Sequence, residues 1–137
     1  ADFVPTAAGE VWPVTLASTR TSAENRFLFH KTTRRALYDG SLKAAMAAGF
    51  KEILFENEDG FLTEGSFTNL FIARNGRLLT PALKHGVLPG TLRAALLDKR
   101  VAAEADLTRA DLFSGAPVYV GNSLRGLVRV NLVLPED

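Results

Sequence analysis

Apolar and polar positions alternate with different periods along this chain, and each change of period marks an element. Residues 11–17, Val-Trp-Pro-Val-Thr-Leu-Ala, read as a strand that tolerates Pro13, and therefore as an edge or irregular strand. A polar stretch from Ser18 to Asn25 follows, and the apolar trio Phe27-Leu28-Phe29 leads into His30-Lys31. The next segment, rich in Ala and Leu, reads as a helix running to about Ala48. Thr32 or Thr33 is placed to cap it, Gly49 to end it, and Leu37, Met46 and several alanines to form its inward stripe.

From Lys51 the period changes. Ile53-Leu54-Phe55 is a short strand, Asn57 to Gly60 a turn, and Phe61-Leu62 resumes the strand pattern. Thr68 to Ala73 is a strand, Arg74-Asn75-Gly76 a hairpin signal, and Arg77 to Thr80 the return, so the region reads as an antiparallel meander. Pro89-Gly90-Thr91 opens a helix through Arg100, with proline where its missing N–H does no harm. Val101 to Ala105 reads as a strand, Thr108 to Phe113 as a short helix capped by Thr108, and Val118 to Val120 as a buried strand. Gly121-Asn122-Ser123 breaks that strand, and Leu127 to Val133 is the last one. No repeat is present, and the class is α+β: one domain of mostly antiparallel sheet with packed helices.

Composition narrows the function. The chain has 137 residues, 47% apolar and 23% charged, which suits a single domain burying roughly two-thirds of its unfolded surface. Lys and Arg total 16 against 15 Asp and Glu, and a net charge of +1 removes the electrostatic case for a nucleic-acid partner. No apolar run reaches the ~20 residues of a membrane span, and Ala1-Asp2-Phe3-Val4-Pro5 lacks the regions of a signal peptide. With no cysteine there is no disulfide, thiolate zinc site or cysteine nucleophile, and two histidines are too few for a metal site. A cytoplasmic setting without membrane or nucleic acid is the expectation.

Three stretches depart from plain scaffold. In Phe29-His30-Lys31-Thr32-Thr33-Arg34-Arg35 a lysine at a strand-to-helix junction is open to partial desolvation. That gives the neutral amine a Schiff-base lysine needs; the alternative is a solvated basic turn. In Leu62-Thr63-Glu64-Gly65-Ser66-Phe67-Thr68-Asn69-Leu70 a carboxylate precedes glycine and small polar residues, where backbone approaches a ligand; the alternative is a solvated hairpin edge. Gly86 to Arg93 and Gly121-Asn122-Ser123 are candidate anion cradles, the first at a helix N-terminus. An amine, a carboxylate and two phosphate cradles are the set that pyridoxal phosphate requires.

On these motifs the chain resembles the class IV aminotransferases, the fold-type IV pyridoxal-phosphate enzymes, and within them the aminodeoxychorismate lyases. The matching pieces are Phe27 to Arg35, Thr63 to Phe71, Leu88 to Arg93 and Gly121 to Gly126, of which Glu-Gly-x-x-x-Asn-Leu-Phe is the most specific. The resemblance implies a D-amino acid aminotransferase-like fold, with residues 1–137 forming the large C-terminal domain and the small N-terminal domain lacking. It implies that Lys31 binds the cofactor covalently and catalyses. Glu64 pairs with its ring nitrogen; Thr91, Leu92 and Asn122 hold its phosphate; Ser123, Leu124 and Arg125 meet substrate. The implied reaction converts 4-amino-4-deoxychorismate into p-aminobenzoate and pyruvate, in a homodimer, with a fused or partner chorismate-aminating synthase component. Transaminases of the family usually carry a tyrosine five residues past the lysine; Ala36 stands there, which favours the lyase. A branched-chain or D-amino acid aminotransferase, or a non-catalytic scaffold or dimerisation domain, are the alternatives.

Overall fold

The computed structural model describes residues 10–21 and 31–134, with side chains from residue 35 onward in the second stretch. Eight strands form one sheet. Strand β1 (Val11–Leu16) lies between β2 (Glu52–Glu56) and β8 (Gly126–Leu132), parallel to both. Strand β2 pairs antiparallel with β3 (Leu62–Gly65), and β8 with β7 (Val118–Asn122), which pairs in turn with β4 (Asn69–Arg74). Strand β4 then divides its remaining edge. Its first residue, Asn69, pairs with Glu64 and so closes a ring of six strands, while Ile72 onward pairs with β5 (Arg77–Pro81). Strand β5 carries β6 (Ala102–Ala105) parallel on its outer edge.

Period-two alternation fills the ring. Val14, Leu54, Leu70 and Val120 are fully buried in its central cluster, and residues between them along the strands face outward. Two helices cover that outer face. Helix α1 (Lys31–Ala47) sets Tyr38 and Ala45 against Ala17, Ile53 and Phe55, whereas α2 (Thr91–Asp98) packs Leu92 and Leu96 near Phe71, Leu78 and Tyr119. Burial of each large side chain here stabilises the fold by ~1.5–3 kcal/mol. The short α3 (Arg109–Leu112) adds Leu112 to the central cluster, and its N-cap Thr108 forms a capping box with Asp111. Among the described residues no helix is long and apolar enough to cross a membrane.

Several sequence expectations need correction. Strand β1 is interior, not an edge. Pro13 is tolerated because its carbonyl accepts from Lys51 N–H while the β1–β2 ladder begins only at Val14, so the missing donor falls beyond the start of β2. Helix α1 begins at Lys31, which puts Thr32 and Thr33 inside its first turn rather than at its cap. Gly49 does end the helix, in a left-handed conformation at φ +98°. Met46 is exposed, but Leu37 does pack inward with Tyr38, Leu42 and Ala45. Helix α2 stops at Asp98, and β7 runs through Gly121 to Asn122 before turning. The polar stretch lies within the described residues only as far as Thr21, and His30 lies outside them.

Candidate active site between two helices

The ring closes at Glu64, and the candidate site is built there. Glu64 stands on β3, 4% exposed, opposite Asn69. Its carboxylate joins elements far apart in sequence: Tyr38 Oη on α1 donates to Oε2 at 2.9 Å, and Leu88 N–H, on the approach to α2, donates to Oε1 at 3.1 Å. The Tyr38 ring stacks on Phe55 with centroids 4.3 Å apart and planes 16° from parallel, so the donor is held from behind. A buried carboxylate is costly unless hydrogen-bonded, and these donors answer that cost. The solvated-hairpin alternative for Glu64 is thereby excluded.

The approach to α2 is drawn onto the sheet beside it. Asn69 Nδ2 donates to Leu88 O at 3.3 Å, so Leu88 is bonded to both members of the closing pair. Gly90 lies directly over the Asn69 amide, where a Cβ would collide with it. Gly121, opposite Asn69 on β7, lies so close beneath α2 that a Cβ would sit 2.9 Å from Leu92 Cδ2. The first N–H groups of α2, those of Thr91 and Leu92, have no partner within the helix and carry the positive end of its dipole. Further back, His85 Nε2 meets Asp106 Oδ1 at 2.7 Å, its ring stacks on Phe61, and Asn57 Nδ2 donates to His85 O at 3.2 Å. The His85 hydrogen bond holds the Asp106 carboxyl below the usual carboxylate range.

A second buried carboxylate escaped sequence reasoning. Glu52 is fully buried, and Oε1 accepts from Ile53 N–H at 2.8 Å, Ser66 N–H at 3.0 Å and Ser66 Oγ. Oε2 accepts from Thr68 Oγ1 at 2.8 Å and Phe67 N–H at 3.2 Å. It therefore clamps the turn between Glu64 and Asn69. Gly65 packs so tightly against this carboxylate and Thr68 that a Cβ there would collide with both.

The sequence candidates fare unequally. Glu64 is tied to the approach to α2 through Leu88, three residues before Thr91, and the Leu92 side chain lies over Gly121. Lys31 opens α1, and its side chain lies outside the described residues. Asn122 turns its amide elsewhere: Nδ2 donates to Phe67 O at 3.0 Å, and Oδ1 accepts from Leu124 N–H at 3.1 Å and Arg125 N–H at 2.8 Å. Its visible work is to shape the β7–β8 turn. Ser123 is exposed, Leu124 is 94% exposed, and the Arg125 guanidinium lies 5.6 Å from the Trp12 ring centroid. Arg35 and Lys43 are solvated, as the sequence suggests. Tyr38 and Glu52 were missed as parts of the site, while Asn69 and Leu88 lay inside the matching motifs without a role. Tyr38 stands seven residues from Lys31, a spacing that returns to the same helix face and was available as a signal.

Known proteins share the fold of this chain. The model of the family "Amino-transferase class IV" matches residues 4–133. A Schizosaccharomyces pombe protein assigned as an aminodeoxychorismate lyase is 33% identical over 143 residues, covering 98% of this chain and 62% of its own length. Among solved structures, a Mesorhizobium loti protein assigned as an amino-acid aminotransferase is 45% identical with a TM-score of 0.84, over 96% of this chain and 64% of that one. A Legionella pneumophila protein assigned as a 4-amino-4-deoxychorismate lyase is 28% identical with a TM-score of 0.80, over 98% and 52%. The chain thus spans less than two thirds of the length of these relatives. The closed sheet is that of fold type IV, matched along nearly all of the chain. With the family match running from end to end of the described fold, the chain belongs to the class IV aminotransferases.

Proposed function

We propose that this chain is the large domain of a pyridoxal-phosphate-dependent lyase that converts 4-amino-4-deoxychorismate into p-aminobenzoate and pyruvate. The observation that carries the proposal is the buried Glu64 carboxylate, hydrogen-bonded to Tyr38 on α1, the helix that opens at Lys31, and to Leu88 on the approach to α2. The donor set fits the cofactor. A carboxylate braced by the Tyr38 hydroxyl and the Leu88 amide suits a protonated ring nitrogen, the amides of Thr91 and Leu92 suit a phosphate, and Gly90 and Gly121 bring them close to the sheet.

When bound, pyridoxal phosphate supplies an electron sink for negative charge on the carbon bearing the substrate amine. Lys31 supplies the amine that anchors it and that moves the substrate proton. Glu64 holds positive charge at the ring nitrogen. Thr91 and Leu92 grip the phosphate through backbone N–H groups, and Asn122 contributes by fixing the turn beside them. Ser123, Leu124 and Arg125 face the substrate, the guanidinium suiting a substrate carboxylate. A phosphate-binding arginine and the second pocket wall come from a small domain outside these 137 residues. The assembly is a cytoplasmic homodimer, working with a fused or partner chorismate-aminating component. Ala36, where family transaminases carry tyrosine, favours the lyase; the 45% identity to an assigned amino-acid aminotransferase supports transamination as second reading.

The test is a product assay on the longer protein that contains this chain, supplied with pyridoxal phosphate and aminodeoxychorismate. Equal amounts of p-aminobenzoate and pyruvate support the lyase. Keto acid from a branched-chain or D-amino acid, without p-aminobenzoate, supports the transaminase instead. A folded protein with neither activity leaves the scaffold reading.

A further inference from the structure

We propose that Tyr38 is a positioning residue for Glu64, holding that carboxylate ionised and fixed between α1 and the approach to α2. The inference rests on the reading of Glu64 as the partner of the cofactor's ring nitrogen. It starts from helix geometry. Successive residues turn about 100° around a helix axis, so Tyr38, seven positions after Lys31, lies within about 20° of the Lys31 position and ~10 Å further along. Ala36, five positions after Lys31, lies about 140° away from it and is exposed. The phenol of α1 thus stands on the same face as the lysine position, two turns along, where it reaches β3.

Its placement there is tightly determined. Tyr38 is 5% exposed, its ring is stacked on Phe55, and its hydroxyl donates to Glu64 Oε2 at 2.9 Å. A tyrosine ring fixed by packing leaves the hydroxyl little freedom, so the hydrogen bond orients the carboxylate. A donor to the charged form also favours that form over the protonated one. The opposite oxygen receives Leu88 N–H, so α1 and the approach to α2 grip Glu64 from two sides. Through this contact α1 serves the ring-nitrogen end of the site as well as supplying the lysine.

The test needs no cofactor. In the 137-residue chain, with glutamate carboxyl carbons labelled and the Glu64 signal assigned by its loss in Glu64→Gln, the pH titration of Glu64 is followed by NMR. Tyr38→Phe keeps the stacked ring and removes the donor. The Glu64 midpoint is expected to move to higher pH by roughly half a unit to one unit. A purely structural tyrosine would lower the unfolding midpoint and leave that titration in place, so coincident curves in the two proteins overturn the proposal. Should Tyr38→Phe not fold, the reciprocal measurement decides: in Glu64→Gln the Tyr38 Cζ resonance is expected to move and that of Tyr119 to stay. An unmoved Tyr38 resonance overturns the proposal. In the cofactor-loaded longer protein, Tyr38→Phe is expected to lower kcat roughly threefold to tenfold with KM nearly unchanged. Failure of the cofactor reading would leave the titration result standing, whereas coincident curves sink this inference alone.

Discussion

Glu52 and Glu64 stand on neighbouring strands, both carboxylates are buried, and the two are satisfied in different ways. Every hydrogen bond found for Glu52 comes from its own neighbour Ile53 or from the single turn Ser66 to Thr68. Among the described residues, Glu64 takes donors from separate elements, the phenol of Tyr38 on α1 and the amide of Leu88 before α2. A carboxylate neutralised within one turn makes that turn rigid and is used up in doing so. A carboxylate braced from separate elements marks where those elements converge, and a buried charge close to a helix N-terminus suits a charged ligand. The two residues divide labour: Glu52 fixes the turn that follows Glu64, and Glu64 serves the site.

The largest effect should come from the clamp. Glu52→Ala leaves the buried Thr68 hydroxyl and the partly buried amides of Ser66 and Phe67 without their acceptor, and urea denaturation is expected to show a loss of ~3 kcal/mol or more. A loss below ~1 kcal/mol would erase the distinction between the two residues. Glu64→Gln keeps shape and most hydrogen bonding but removes the charge. In the longer enzyme it is expected to slow turnover by ~100-fold, about 3 kcal/mol, while the folding midpoint stays within ~1 kcal/mol of wild type. Unchanged turnover with reduced stability would make Glu64 a second clamp.

A third carboxylate marks the low end of the scale. Burial pushes the Asp111 carboxyl up, but the Thr108 N–H and the Arg74 guanidinium at 2.9 Å outweigh it, and the net shift is downward from 3.8. A folded value below the unfolded one means the stabilisation is present above about pH 4 and is lost as pH falls through the folded value. Asp111→Asn is therefore expected to cost ~1 kcal/mol at pH 7 and to match wild type under strong acid. Thermal midpoints measured across pH check this, and a difference that persists into strong acid would contradict the assigned cause.

Much of the fold is legible in the chain because its signals are local. Asn75-Gly76 supplies the two left-handed residues of a tight hairpin, at φ 54° and 76°, and Thr108 caps its helix as its residue type suggests. What stayed hidden depends on tertiary pairing. The parallel pairings of β1 with β2 and β8 join strands far apart in sequence, so Pro13 read as an edge signal. Of the candidate site, Glu64 and the Thr91-Leu92 turn are singled out by motif order. Glu52 was not, because a glutamate before an apolar strand normally faces water, and only the turn folded over it removes the water. Tyr38 was passed over in favour of Met46 on a helix whose apolar stripe is narrow. The resemblance assigns Asn122 to the phosphate; in the structure its side chain bonds Phe67 O and the turn amides.

The central claim, that a cofactor is held between α1 and α2 by a lysine at the start of α1, has a direct measurement. The longer protein is loaded with pyridoxal phosphate, reduced with borohydride and mapped by peptide mass spectrometry. The account predicts the modification on Lys31. Modification confined to Lys43, Lys51, Lys84 or Lys99, or no modified lysine in a protein that remains folded, would contradict it.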